Sequence, residues 1–135
     1  MRTPSTPEIT SASIQALVDF LPLLESADFS PGELKTPEGQ LPYFAYSKQV
    51  DAFISALYKH GWILGSDWSA WQEQAEAYVR DPDSLKNASA ETLRKLLTTH
   101  ARKDRFCDGH LAVMFQNGHL VAVLRRLKDI LSQES

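Results

Sequence analysis

Residues 43–61 read Tyr-Phe-Ala-Tyr-Ser-Lys-Gln-Val-Asp-Ala-Phe-Ile-Ser-Ala-Leu-Tyr-Lys-His-Gly. Tyr43, Tyr46, Ser47, Val50, Phe53, Ile54, Leu57 and Tyr58 fall at separations of three and four, so they share one face of a helix. Lys48, Gln49, Asp51, Ser55 and Lys59 lie mostly on the other face. Gly61 follows His60 where a helix stops, because glycine takes left-handed angles without steric cost. The stretch predicts an amphipathic helix, and the same period recurs on both sides of it.

Toward the N-terminus, Ile14, Leu17, Val18, Leu21 and Leu24 repeat the spacing after Ser11 or Ser13, either of which suits a helix cap. Pro22 lacks an amide proton and is expected to kink or end this helix near Leu21. Pro31, Gly32, Pro37, Gly39 and Pro42 make residues 29–42 read as a surface loop. Met1 to Thr10, with Pro4 and Pro7, is expected to be a flexible tail. It lacks the basic start and apolar core of a secretory signal.

Beyond Gly61, Trp62-Ile63-Leu64 forms a short apolar link. Ser66 or Asp67 opens a third helix with Trp68, Trp71, Ala75, Tyr78 and Val79 inward, and Asp81-Pro82-Asp83 ends it. Ser89 caps a fourth helix, whose stripe of Leu93, Leu96 and Leu97 is expected to run to about Phe106. Breaks at Asp108-Gly109 and Asn117-Gly118 isolate a short helix, His110 to Gln116. They also set off a last one, His119 to Leu131, which buries Leu120, Val123, Leu124, Leu127, Ile130 and Leu131. No segment alternates as a strand does. The reading is all-α: one compact bundle of five or six helices over residues 11–135, the last two short and joined by glycine breaks.

The chain has 135 residues, 43% of them hydrophobic and 23% charged, which excludes a disordered or low-complexity polymer. No apolar run approaches the roughly 20 residues that cross a bilayer. The single cysteine, Cys107, excludes an internal disulfide framework and is expected to be buried or half-buried. It points to a reducing, bacterial-type cytosol. The net charge of −3 divides into −7 over residues 1–91 and +4 over residues 92–135. This favours docking of one part on the other above a nucleic-acid surface. Tyr43, Tyr46, Phe53, Trp68, Trp71 and Tyr78, at helical spacing, read as core. Exposed aromatics such as Tyr43 or Trp62 would leave a patch for self-association into a homo-oligomer.

The stretch that could carry chemistry is Thr98 to His110. Extending the stripe from Leu93 and Leu97 places His100 and Asp104 on the inward face. A buried polar group must find a partner or cost about 1–3 kcal/mol. Arg125 or Arg126 of the last helix is the expected partner of Asp104, and Arg102 or Arg105 is expected to reach inward. The structural reading, a buried network fixing the C-terminal helices, stands ahead of the functional one. The functional reading is a site for an anion or a small polar ligand built from His100, Arg102, Asp104, Arg105 and His110, because the guanidinium fork suits carboxylate and phosphate. His100 and Asp104 at i, i+4 could reach one metal ion if His110 or His119 completed the set. No His-Glu-x-x-His or Cys-x-x-Cys supplies zinc spacing. There is no Gly-rich phosphate loop, and no cofactor is indicated.

The run Arg102-x-Asp104-Arg105-Phe106-Cys107-Asp108-Gly109-His110 is followed by Gly118 and Leu124-x-x-Leu127. Upstream stand Phe53-Ile54-x-x-Leu57-Tyr58 and Gly61-Trp62. This pattern, Arg-x-acidic-Arg-Phe-x-x-Gly before a short helix, a glycine and a leucine-rich helix, resembles a bacterial family of domains of unknown function. The resemblance implies a compact intracellular helical domain and no particular activity.

The first functional expectation is therefore a non-enzymatic module that binds a protein or small anionic ligand through its basic C-terminal third. The alternative is a small enzyme or metal-dependent hydrolase using His100, Asp104 and His110. A DNA-binding role for Arg125, Arg126 and Lys128 ranks last because the chain is acidic overall.

Overall fold

The computed structural model describes residues 8–65 and 67–133. Most of the expected tail, Met1 to Pro7, lies outside them. Thr10 caps α1 (Ser11–Val18): its hydroxyl accepts from the Ser13 N–H, and the Ser13 hydroxyl accepts from the Thr10 N–H. This is a reciprocal capping box. Neither Ser11 nor Ser13 is the cap, since the box begins one residue before the pair. Pro22 does interrupt the helix. It falls in the first turn of α2 (Leu21–Leu24), where a missing N–H removes no intrahelical bond.

The breaker-rich segment is not all loop, and the fold is not purely helical. β1 (Gly32–Lys35) pairs antiparallel with β2 (Tyr43–Tyr46), with Gly32 opposite Tyr46 and Lys35 opposite Tyr43. Two tyrosines three apart satisfy a helical pattern by chance, and this hairpin buries neither face fully, so it shows no alternation to read. Gly32 has φ 139°, and a Cβ there would stand 2.1 Å from the Ala45 carbonyl oxygen. The two strands can approach this closely only with glycine at that position.

Helix α3 (Lys48–Lys59) therefore begins at Ser47, whose hydroxyl accepts from the Val50 N–H. It ends at Gly61, φ 79°, with the Trp62 N–H on the Leu57 carbonyl. Trp62 is buried, not available for self-association. Its indole N–H donates to the Ser13 carbonyl at 3.0 Å. Tyr43, by contrast, lies at the surface rather than in the core.

Asp67 caps a 3-10 turn, Trp68–Trp71, that leads into α4 (Gln72–Arg80). Ser66, the other candidate cap, lies outside the described residues. On this segment only Ala75 is fully buried; Trp71, Tyr78 and Val79 pack on the core edge, and Trp68 stacks instead on Phe106. A second 3-10 segment, Pro82–Asn87, precedes α5 (Ala90–Asp104), which Ser89 caps as expected. α6 (His110–Gln116) and α7 (His119–Gln133) follow. α7 has 15 residues and is one of the two longest helices among the described residues, not a short one.

The core lies where α1, α3, α5, α6 and α7 converge, on side chains such as Leu17, Phe53, Leu97, Phe115 and Leu124. No helix among the described residues is long and apolar enough to cross a membrane. Phe53 anchors this core: its ring meets Phe20 edge-on at 5.3 Å and Phe115 at 5.7 Å. Phe53→Ala is expected to lower unfolding free energy by about 3–5 kcal/mol in urea melts, through lost burial and the cavity left behind. A loss below about 1 kcal/mol would show that the site collapses and that this ring cluster does not hold the core together.

Candidate functional site

The junction of α5 and α6 carries most of the residues singled out in the sequence. Arg102 reaches inward and donates to the Leu64 carbonyl at 2.9 Å. Asp104 also points inward, but its partner is no arginine. Its carboxylate accepts from the Tyr46 hydroxyl and, at 3.0 Å, from the Leu111 N–H in the first turn of α6. Burial first, and then the Asp104 carboxylate, push the Tyr46 hydroxyl well above its ordinary pKa. Arg125 instead pairs with Glu25, and Arg126 donates to the Ala88 carbonyl at 2.9 Å. Both α7 guanidiniums are thus drawn toward α2 and the segment before α5, away from Asp104.

The rest of the junction is similarly occupied. Asp108 accepts from the Phe44 N–H at 2.6 Å. Gly109, φ 81°, turns the chain beside the Phe44 ring. Phe106 stacks on Trp68 at 5.8 Å, yet is 77% exposed. Cys107 is exposed as well, contrary to the expectation of burial, because it sits on the outside of this turn. Arg105 points to solvent with no ion pair or side-chain hydrogen bond among the described residues. Arg102, Asp104 and Asp108 therefore fasten the Leu64 loop and the β-hairpin to the end of α5.

The histidines form a separate group. His100 projects from α5 into the interior. His110 opens α6 directly after Gly109, and His119 opens α7 directly after Gly118. The two left-handed glycines, at φ 81° and 82°, restart the helices so that both rings face His100. His100 Nδ1 lies 3.0 Å from His110 Nε2, and His100 Nε2 lies 3.1 Å from His119 Nε2. The result is a chain of three imidazoles with His100 in the middle.

Burial lowers the pKa of all three. For His100 it acts together with His119, His110 and Lys103. For His110, Lys103 adds to it and Asp104 opposes it. His119 is brought down to about 4 by burial and then by His110. All three rings are neutral at pH 7. His100 uses its two nitrogens in opposite directions, so the rings do not converge on one point. No three His, Cys, Asp or Glu side chains among the described residues are grouped to hold a metal ion. The grouping of His100, Asp104 and His110 expected for a metal-dependent hydrolase is not assembled, since Asp104 turns to Tyr46 and Leu111.

His100 and His110 line a pocket of about 250 Å³ between α4 and the α5–α6 pair. Ala75, Val79 and Met114 make its apolar wall. Glu76, Arg80 and Lys103 supply its charge, with Lys103 Nζ 3.8 Å and Arg80 3.9 Å from the Glu76 carboxylate. Of the five site residues read from the sequence, only His100 and His110 line this pocket; Arg102, Asp104 and Arg105 do not. His119 and Lys103 were missing from that set. The repeated Gly-His at 109–110 and 118–119 was the available signal for His119.

A model of the family of unknown function DUF6508 matches residues 9–133, and the chain belongs to that family. No curated protein and no solved structure matches the chain.

The imidazole chain makes stability depend on pH. Each ring's folded pKa lies below the ordinary 6.5, so between those values the unfolded chain binds more protons. Stability is full above about pH 6.5 and falls as pH drops toward the folded values. At about 1.4 kcal/mol per pKa unit, His119 alone contributes on the order of 3 kcal/mol to that fall. The urea midpoint should drop steeply between pH 6.5 and 4, and His119→Gln should flatten the slope. A wild-type midpoint that stays level across this window would show that the rings titrate as exposed ones do.

Proposed function

We propose that the chain is a non-enzymatic binding domain of a bacterial cytosol. Its ligand is a small monocarboxylate with a short hydrocarbon body, seated in the pocket between α4 and α5–α6. The observation that supports this is the composition of that pocket: an apolar wall, two neutral imidazoles and a charged group with a net charge of +1 from Arg80, Lys103 and Glu76. Small-molecule sites pair mostly apolar walls with a few placed polar groups. A single negative charge matches the cationic excess. Lys103, already near Glu76, would exchange that weak pair for the ligand carboxylate. Of the two pocket imidazoles, His110 offers its Nδ1–H, the nitrogen that the contacts with His100 leave unused, and Ala75, Val79 and Met114 take the hydrocarbon.

This narrows the basic C-terminal third to one end of α5. Arg102 is occupied by the Leu64 carbonyl, and Arg105 lies off the pocket. Placement in a reducing compartment is supported by the lone, exposed Cys107.

Thermal melts with straight-chain monocarboxylates of two to eight carbons, against alcohols of equal length, test the reading. An intermediate length should stabilise most, approaching about 2.7 kcal/mol at 100-fold excess over Kd. The alcohols should do less. Lys103→Gln should weaken the effect, and Arg105→Ala should leave it unchanged. Equal stabilisation by the alcohols, or none by any acid, would sink the reading.

A further inference from the structure

We propose that seating the ligand anion drives uptake of a single proton by the His110–His100–His119 chain, and that this proton is shared as far as His119, outside the pocket. The inference rests on the pocket reading above and concerns how that site is coupled to pH.

Two N···N contacts, of 3.0 and 3.1 Å, set the number of protons that the three rings can hold. Each contact is a hydrogen bond only when one of its two facing nitrogens carries a proton. Three neutral imidazoles hold three protons. Two of them fill the contacts. The third sits on the Nδ1 of one end ring, either His110 or His119, and leaves the other end's Nδ1 bare. One added proton lands on that bare nitrogen, and both contacts survive. A second added proton would set two N–H groups face to face and break a contact. The chain therefore has room for one extra proton and no more.

Once that proton is aboard, the charge moves without loss of either bond. The His110 Nε2–H bond breaks as His100 Nδ1–H forms, and His100 Nε2–H breaks as His119 Nε2–H forms. Each step transfers one proton between facing nitrogens. The positive charge is thus spread over three rings that belong to three successive helices.

The charges around the chain decide whether it takes up this proton. Burial disfavours the charged form, and on α5 Lys103 opposes it while Asp104 favours it at His110. From α4, Glu76 and Arg80 bring opposite charges to the pocket that nearly offset one another. A carboxylate placed against His100 and His110 adds a negative charge beside the chain and pairs with Lys103, the cation that disfavours the protonated rings. An opposite charge within about 4–6 Å raises an imidazole's pKa. His119 does not line the pocket, so a response there reports transmission along the chain and not direct contact.

The test is calorimetric titration of hexanoate into the wild-type protein in pairs of buffers with different ionisation enthalpies, from about pH 6 to 8. This range lies above carboxylate titration, so the ligand itself brings no proton. Proton uptake should approach one per bound hexanoate at the acid end and fade at the alkaline end. Affinity should weaken by up to about tenfold per pH unit where uptake is complete. In parallel, ¹⁵N spectra of the imidazole nitrogens should show His119 shifting with hexanoate alongside His110 and His100. Binding with equal heat in both buffers and a level Kd would overturn the proton uptake and leave the pocket reading standing. A response confined to His110 would overturn the sharing. Failure of hexanoate and its neighbours in length to bind at all would overturn both.

Discussion

Three imidazoles joined by two hydrogen bonds, two of them buried and the third half-buried, dictate how the last three helices meet. An imidazole nitrogen that loses water must find a partner, and an unpaired one costs about 1–3 kcal/mol. His100 has two nitrogens in the interior and one contact for each. Both partners open a helix, so any shift of α6 or α7 along its axis would strand a nitrogen. Apolar packing alone does not fix such a register, because leucine stripes tolerate sliding and repacking. Here Leu111, Leu120 and Leu124 provide the burial, while the histidines fix where α6 and α7 begin.

A second constraint works at the outer end of α5. Asp104 joins three elements through one carboxylate: the α5 end that bears it, the α6 first turn through Leu111, and the hairpin through Tyr46. Asp108 adds a further bond to the hairpin through the Phe44 N–H. A two-stranded hairpin is marginal alone in water. It persists here because a phenol and a backbone amide are tied to the junction it covers. The acidic residues of the quoted pattern are therefore accounted for by architecture.

Much of this was legible in the chain, and the limits have physical causes. Ser89, Gly61, Gly109 and Gly118 mark helix ends through local chemistry that needs no distant partner, and α5, α6 and α7 lie close to where the period of 3.6 placed them, while α3 starts later than its stripe. His100 and Asp104 were readable as inward from that period. Their partners were not. Tyr46 and Asp104 are 58 residues apart, and which face of β2 meets α5 is a tertiary outcome. The hairpin was hidden because Tyr43 and Tyr46 satisfied the helical pattern that truly begins at Ser47. The pocket wall on α4 was hidden because Ala75 and Val79 are unremarkable on any helix until α5 lies opposite.

The remaining question is why polar rings occupy positions that leucine or methionine would fill. Stability does not supply the reason. Well-packed apolar replacements of buried polar groups are often neutral or stabilising. Three neutral imidazoles weaken the fold in acid, which a leucine trio would not. Conformational register supplies part of the reason, since directional bonds specify helix starts more sharply than dispersion does. It does not explain why the chain ends against a cavity. His100 and His110 also line a pocket of about 250 Å³, with Lys103 and Glu76 beside them. Under the proposed ligand reading, a charge-accepting group placed between a closed core and an open pocket is suited to sensing what the pocket holds.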